Sequence, residues 1–336
     1  MWVGVLALSA LLLIGSESVW RDKGFMPHVV DTQIYWAMNR SKVYTENNRK
    51  KIVIVGTSRA QLGIDPVTLA QELPQYDIVN LAIDGALPLG VIKDLCTDPD
   101  FDGLIVADVT IPFLCITEAQ ATQKEREYVS YYHGEFQTAA AIEKRTNTYL
   151  NTTLQSQFVI FSPVLSFKSL LYDRLKPNWL YFHMHLDRYR PAYYNDRMSP
   201  AQRKTHKEER INRLTANKIE RVQIGKFETI AQNELRELYR TLQNRDGNMV
   251  FFRMPTTGEH WDIDEQMAPK TEYWDKLERW SGVPSIHFRD HASTANFDCP
   301  DTSHLDAQDV PKFTRSLATL IRQKLNLNDG LAKGRL

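Results

Sequence analysis

KIVIVGTSRAQLGIDP, Lys51 to Pro66, is the stretch on which the fold of this chain turns. Five residues suited to a buried strand, Lys51–Val55, break at Gly56 and then present Thr57, Ser58 and Arg59. A structural turn needs only the glycine. A nucleophile delivered to a strand tip needs the glycine and the serine, and a histidine from elsewhere. Gly-Thr-Ser after a strand also fits a plain turn or a helix N-cap.

The same rhythm returns downstream. YDIVNLAIDG (76–85), FDGLIVADVT (101–110), NMVFFRMP (248–255) and PSIHFRD (284–290) read as further strands. Helical segments separate them: DPVTLAQELPQ (65–75), PLGVIKDLCTDP (88–99), KFETIAQNELRELYRTLQNR (226–245), EQMAPKTEYWDKLERWSG (265–282) and AQDVPKFTRSLATLIRQKL (307–325). Phe227, Ile230, Leu235, Leu238 and Leu242 recur on one helical face, as do Val310, Phe313, Leu317, Leu320 and Leu325. Continuous apolar strands alternating with helices predict an α/β fold, a central parallel sheet covered on both faces.

Two regions stand outside that rhythm. WVGVLALSALLLIG, Trp2 to Gly15, is apolar and uncharged, and through Trp20 it nearly reaches the roughly 20 residues that span a bilayer. It predicts a membrane anchor or uncleaved signal over 1–20, a juxtamembrane segment over 21–50, and a main domain over 51–325. Residues 326–336 read as a flexible tail. Within the main domain, about 118–216 is aromatic, polar and irregular, and reads as a mostly helical insertion over one sheet edge. In it only FVIFSPVLSFKSLLY (158–172) looks well buried.

Composition excludes more than it proposes. The 336 residues are 43% hydrophobic and 24% charged, ordinary for a globular protein, and the formal net charge is zero. Nothing argues for nucleic acid as a partner. The Lys-, Arg- and Glu-rich stretch Arg203–Arg221 alternates in sign and reads as a solvated helix face. Cys96, Cys115 and Cys299 match no metal spacing, and no zinc, P-loop or dinucleotide signature occurs, so no metal or cofactor is expected. His183 and His185 have no acidic or cysteine partner at a recognisable spacing.

Functional groups of open parallel sheets sit at the carboxyl ends of the strands. Four loops there carry such groups: Gly56–Arg59, Asp84–Gly85, Asp108–Thr110, and FDCPDTSHLD (297–306). A serine needs a base, usually a histidine held by a carboxylate. In DTSH, Asp301 precedes His304 by three residues, a spacing that lets a tight turn bring carboxylate and imidazole together. Ser58 on the same rim completes a Ser-His-Asp set, and the strand-tip glycines leave N–H groups free for an oxyanion.

These segments resemble the SGNH (GDSL-like) hydrolases. VIVGTSRAQLGI resembles their first block, with Thr57 replacing the usual Asp and Ser58 as nucleophile. VNLAIDGA resembles the second, with Gly85 as oxyanion-hole glycine, and CPDTSHLD the last, with Asp301 and His304. The resemblance spans roughly Lys51 to Leu325. The third block is missing: VADVTIP stands where Gly-x-Asn-Asp belongs, so the hole is one donor short, and Arg59 or Arg253 is the candidate replacement. Asp108 and Thr110 become candidate substrate contacts.

The resemblance implies a three-layer sandwich with a flavodoxin-like central sheet. It implies a serine esterase or O-acyltransferase working through an acyl-enzyme. Anchor plus insertion look like the membrane-associated members of bacterial polysaccharide O-acylation systems. They imply an acetyl or similar ester on a cell-surface glycan as substrate, an extracytoplasmic catalytic domain, and a membrane-bound O-acyltransferase as partner. Trp179, Tyr181, Tyr189, Tyr193 and Tyr194 suit sugar stacking or the insertion's own core. The rival expectation is a non-catalytic, glycan-binding or scaffolding member that has kept the fold. A phosphate-binding doubly wound protein would leave DTSH unexplained.

Overall fold

In a computed structural model describing residues 2–46, 48–115, 123–162, 165, 181–216 and 220–327, the five expected strands form one parallel sheet. They are β1 (Lys51–Val55), β2 (Asp77–Asn80), β3 (Leu104–Asp108), β4 (Asn248–Arg253) and β5 (Ser285–His287), in the order β2-β1-β3-β4-β5. Ile52 pairs with Leu104 and Ile54 with Asn80 and Val106, so β1 is central and bonded on both sides.

The alternation of each strand divides its residues between two cores. Ile52, Ile54, Val106, Val250 and Phe252 face Leu69, Phe313, Leu317 and Ile321. Val53, Val55, Ile105, Ala107 and Phe251 face Trp36, Ile92, Leu95, Leu235 and Leu277 on the opposite side. Helices thus cover both faces, which is why the strands are apolar without a polar side. In this order the chain leaves β1 toward β2 in one direction and toward β3 in the other, opening a crevice above the carboxyl ends of β1 and β3.

Three expectations need correction. Residues 25–44 are part of the domain, not a juxtamembrane linker. Helix α2 (Gln33–Arg40) buries Trp36, whose Nε1 donates to Leu81 O at 3.0 Å. Arg40, fully buried, pairs with Asp94 at 2.6 Å and Asp98 at 2.7 Å. The helix expected over 265–282 is two, Glu259–Met267 and Trp274–Ser281, because Pro269 cannot continue the first. In the 158–172 segment, Phe158 and Phe161 are exposed while Val159 is buried; residues 163–164 and 166–172 lie outside the described residues.

The insertion is mostly helical where described, with Gln123–His133, Ala141–Gln157 and Pro200–Thr215 as its long helices, while 181–193 is irregular and closed by a Phe182–Ala192 bridge. Before α2 runs α1 (Trp2–Asp22), long and apolar enough to cross a membrane and, among the described residues, not buried over its apolar window.

Candidate active site

The site is assembled at the crevice above β1 and β3. After β1 the chain turns at Gly56 and enters α3 (Ser58–Gly63), with Thr57 as its N-cap, the Thr57 hydroxyl accepting from Arg59 N at 3.3 Å. Gly56 is required there by space: a Cβ would lie 2.7 Å from Ala60 Cβ and 3.0 Å from Asp108 Cβ. Ser58 is the first helical residue, so its N–H has no acceptor inside the helix.

The Asp301–His304 turn comes to the same rim. Ser58 Oγ lies 2.9 Å from His304 Nε2, and His304 Nδ1 lies 2.8 Å from Asp301 Oδ2. A carboxylate only accepts, so Nδ1 carries the proton and Nε2 is left to accept from the serine hydroxyl. Asp301 Oδ1 receives the N–H groups of Ser303 and His304 at 3.0 and 2.8 Å, locking the turn. Within it Thr302, β-branched and fully buried, has φ +75, a left-handed conformation that costs on the order of 1–3 kcal/mol. Thr302 N–H donating to Cys299 O at 2.7 Å and His260 Nδ1 at 3.3 Å from the Thr302 hydroxyl hold it.

The insertion reaches the same carboxylate, which the sequence did not reveal. Tyr194 donates its hydroxyl to Asp301 Oδ2 at 3.0 Å, and Arg210 Nη2 lies 2.8 Å from that oxygen. Arg210 also approaches His304 Nδ1 at 3.3 Å, but both are donors there, so the guanidinium bonds to Asp301 alone. Burial by itself would raise the Asp301 carboxyl. The charge and hydrogen bond of His304, then Arg210 and Ser303 N–H, outweigh it and hold the group well below the usual carboxylate range. Arg210 sits on a helix with no buried residue, as expected of the charged stretch. Its one available signal is that Arg203, His206 and Arg210 share a face at i, i+3, i+7.

The second loop carries Gly85 at φ +69, in a turn closed by Ala86 N–H to Ile83 O at 3.2 Å. Asp84 beside it is tied down from the insertion, by Arg190 at 2.8 Å, and Lys124 donates to its carbonyl. The N–H groups of Ser58 and Gly85 have no acceptor among the described residues.

The two arginines proposed as replacement donors differ. Arg253, at the end of β4, is committed: it pairs with Asp264 and donates to Thr256 and to Met254 O. Arg59 is 7% exposed, and among the described residues its buried Nη1 has no partner and no side-chain hydrogen bond or ion pair engages it. Its guanidinium carbon stands 5.8 Å from the centre of the Phe113 ring, after β3. Asp108, 1% exposed, accepts from Met254 N–H at 3.2 Å; burial, outweighing Arg59 and Arg253, pushes its carboxyl up. The Thr110 hydroxyl is buried and has no partner among the described residues.

The aromatic residues of the insertion pack on each other. Tyr181 lies 5.2 Å from Tyr194, and Tyr193 stacks on His183 with rings 7° from parallel. Tyr189 and Tyr194 are buried, and Trp179 lies outside the described residues. His183 and His185 bring their Nε2 atoms to 2.9 Å; among the described residues no third ligand joins them. No family model matches the chain. A search of curated proteins finds no match either.

Proposed function

We propose that this is an SGNH-type serine acyl-transfer enzyme, an esterase or O-acyltransferase acting on an acyl ester of a cell-surface glycan. The single observation that carries this is the unbroken relay Ser58–His304–Asp301, with bonds of 2.9 and 2.8 Å. His304 Nε2 takes the Ser58 proton as Oγ attacks the acyl carbonyl. The tetrahedral oxyanion is held by the N–H groups of Ser58 and Gly85. On collapse, His304 returns the proton to the leaving alkoxide, and the acyl group stays on Ser58. Water or a sugar hydroxyl then gives its proton to His304 and takes the acyl group, restoring the serine.

Arg59 supplies the donor that the missing third block would provide. Among the described residues it is the one site arginine with no carboxylate in hydrogen-bond or ion-pair contact: Arg210, Arg253 and Arg190 pair with Asp301, Asp264 and Asp84, whereas Asp108 and Asp264 act on Arg59 only through their charge. A cation left unpaired in a buried site has its partner delivered by the reaction, as negative charge on the carbonyl oxygen. One preorganised donor of this kind is worth on the order of 10²–10³ in rate. Asp108 shapes the rim beneath Gly56, and Thr110 offers its free hydroxyl to substrate. The apolar α1 fits a protein held at an extracytoplasmic membrane face beside a membrane-bound acyltransferase partner.

The test is turnover of an aryl acetate, with acetylated glycan oligomers as the second substrate. Wild-type protein should accumulate one acetyl group on Ser58 by mass spectrometry, and Ser58→Ala should lose about 10⁴-fold or more in kcat. Unchanged turnover in Ser58→Ala would sink the proposal. Partition of the acyl group between water and an added sugar acceptor separates hydrolysis from transfer.

A further inference from the structure

α1 is not the only apolar surface left uncovered. Outside it, nine large apolar side chains are exposed among the described residues, and six of them lie between 142 and 161. The helix Ala141–Gln157 turns Ala141, Thr152 and their neighbours inward. Its outer side carries Ile142, Thr146, Tyr149, Leu150 and Thr153 at i, i+4, i+7, i+8, i+11, an uncharged strip along one face. Ile142, Tyr149 and Leu150 are 60%, 61% and 53% exposed, and Phe158 and Phe161 continue the surface past the end of the helix at 43% and 44%.

That surface is joined to the polar end of α1. Glu17 accepts the N–H groups of Val159 and Ile160 at 2.9 and 3.0 Å, and Arg21 donates to Gln157 O at 2.8 Å. An apolar cleft of about 310 Å³ between the two elements is lined by Leu13, Ile14, Phe158, Ile160 and Phe161 beside Glu17. Just beyond, Lys23 Nζ stands 4.7 Å over the Trp20 ring, the tryptophan–lysine pairing of a membrane–water boundary. These bonds set Phe158 and Phe161 at the depth where α1 passes from apolar to polar.

We propose that the face formed by Ile142, Tyr149, Leu150, Phe158 and Phe161 lies in the lipid headgroup–acyl boundary of the leaflet that α1 enters. The chain then holds its membrane by two contacts, a helix that enters the bilayer and a face that lies on it. Continuity with α1 selects lipid as the occupant: two uncovered apolar surfaces bonded edge to edge present one solvent boundary. Embedded by roughly 5–10 Å, such a face is an interfacial contact. The consequence is orientation. The α/β domain is held at one angle to the membrane and does not swing on its anchor.

The test places single cysteines in the full chain, whose native cysteines are all buried. Leu150→Cys and Phe158→Cys report on the face, Leu13→Cys on α1, and exposed Val67→Cys on the far side of the domain. Each is labelled with an environment-sensitive nitrobenzoxadiazole dye. The protein is reconstituted into vesicles of phosphatidylcholine and phosphatidylglycerol carrying nitroxide lipids. The face positions should shift their emission to the blue and lose it to nitroxides near the headgroups. Leu13→Cys, one helical turn inward from Glu17, should be quenched by nitroxides on the upper acyl chain, and Val67→Cys by nitroxides at neither depth. Water-like, unquenched emission at 150 and 158 while position 13 is quenched overturns the proposal. So does a blue shift that ignores the nitroxide lipids and fades on dilution into excess lipid, which marks contact between copies. An unquenched position 13 removes α1 from the bilayer, and the proposal with it.

Discussion

Tyr194 and Asp301, 107 residues apart, meet at 3.0 Å, the phenol donating to the carboxylate oxygen that also holds His304. The insertion is therefore part of the relay's scaffold. Tyr194→Phe keeps the ring and removes only this bond. A hydrogen bond to a buried charge is worth about 1.5–3 kcal/mol. The variant should lose stability in that range by urea titration, with kcat falling about tenfold as Asp301 orients His304 less firmly. A Tyr194→Phe protein matching wild type in both would show that Arg210 alone suffices.

Arg59 should give effects of opposite sign. Arg59→Met replaces a buried cation that makes no side-chain hydrogen bond or ion pair among the described residues with an apolar chain of similar length. Removing that desolvated charge should raise stability by about 1–3 kcal/mol. Losing the donor should lower kcat by roughly 10²–10³. Denaturant midpoint and acetyl-ester turnover measured on the same sample check both; a drop in stability would mean Arg59 has a protein partner in solution.

The two strand-end glycines should respond differently to the same change. Gly56→Ala forces a Cβ against Ala60 and Asp108, a clash with short side chains that cannot swing away. It should cost about 1–3 kcal/mol and displace Ser58, abolishing turnover. At Gly85 an added Cβ meets nothing within 4 Å, and only φ +69 resists it. Gly85→Ala should cost about 1 kcal/mol and lower kcat through a misaimed N–H. Equal losses in the two variants would contradict this.

Acid should unfold the protein through its histidines. Burial first, with neighbouring cations adding and Asp264 opposing at His260, pushes His28 to about 4, His183 and His260 to about 3, and His287 to about 2. Unfolded histidine titrates near ~6.5, so below that pH the unfolded chain binds protons that the folded one refuses. Their stabilisation is full above about 6.5 and is lost as pH falls toward those folded values, about 1.4 kcal/mol per pH unit for each group. Asp301 contributes nothing to this loss. Its depressed carboxyl stabilises above the unfolded value of ~3.9, so its share disappears only at lower pH. Urea midpoints at pH 7.5, 6 and 5 should fall steeply, and replacing His287 should flatten the slope by about one proton.

Much of this was legible residue by residue. β1, β3 and β4 are continuous apolar runs because helices cover both sheet faces, and such runs need no partner to be recognised. Ser58, Asp301 and His304, which the structure brings together, stand out in the sequence because each belongs to a short local pattern. The role of residues 25–44 was not legible, since the fully buried Arg40 reads as solvent-facing until Asp94 and Asp98 are seen beside it. Arg210 was hidden in a charged helix in which no residue is buried.

By itself the sequence determined what depends on near neighbours: strand and helix period, the turn at Gly56, the three-residue step from Asp301 to His304, and the apolar run of α1. Only the tertiary structure decided which distant groups converge. It set Ser58 against His304 across 246 residues of chain, gave Asp301 its Tyr194 and Arg210 partners, and left Arg59 with no hydrogen-bond or ion-pair partner among the described residues. Local patterns arise because a backbone repeats its geometry every few residues. Convergence arises from how helices pack on a sheet, and that packing leaves no period in the sequence.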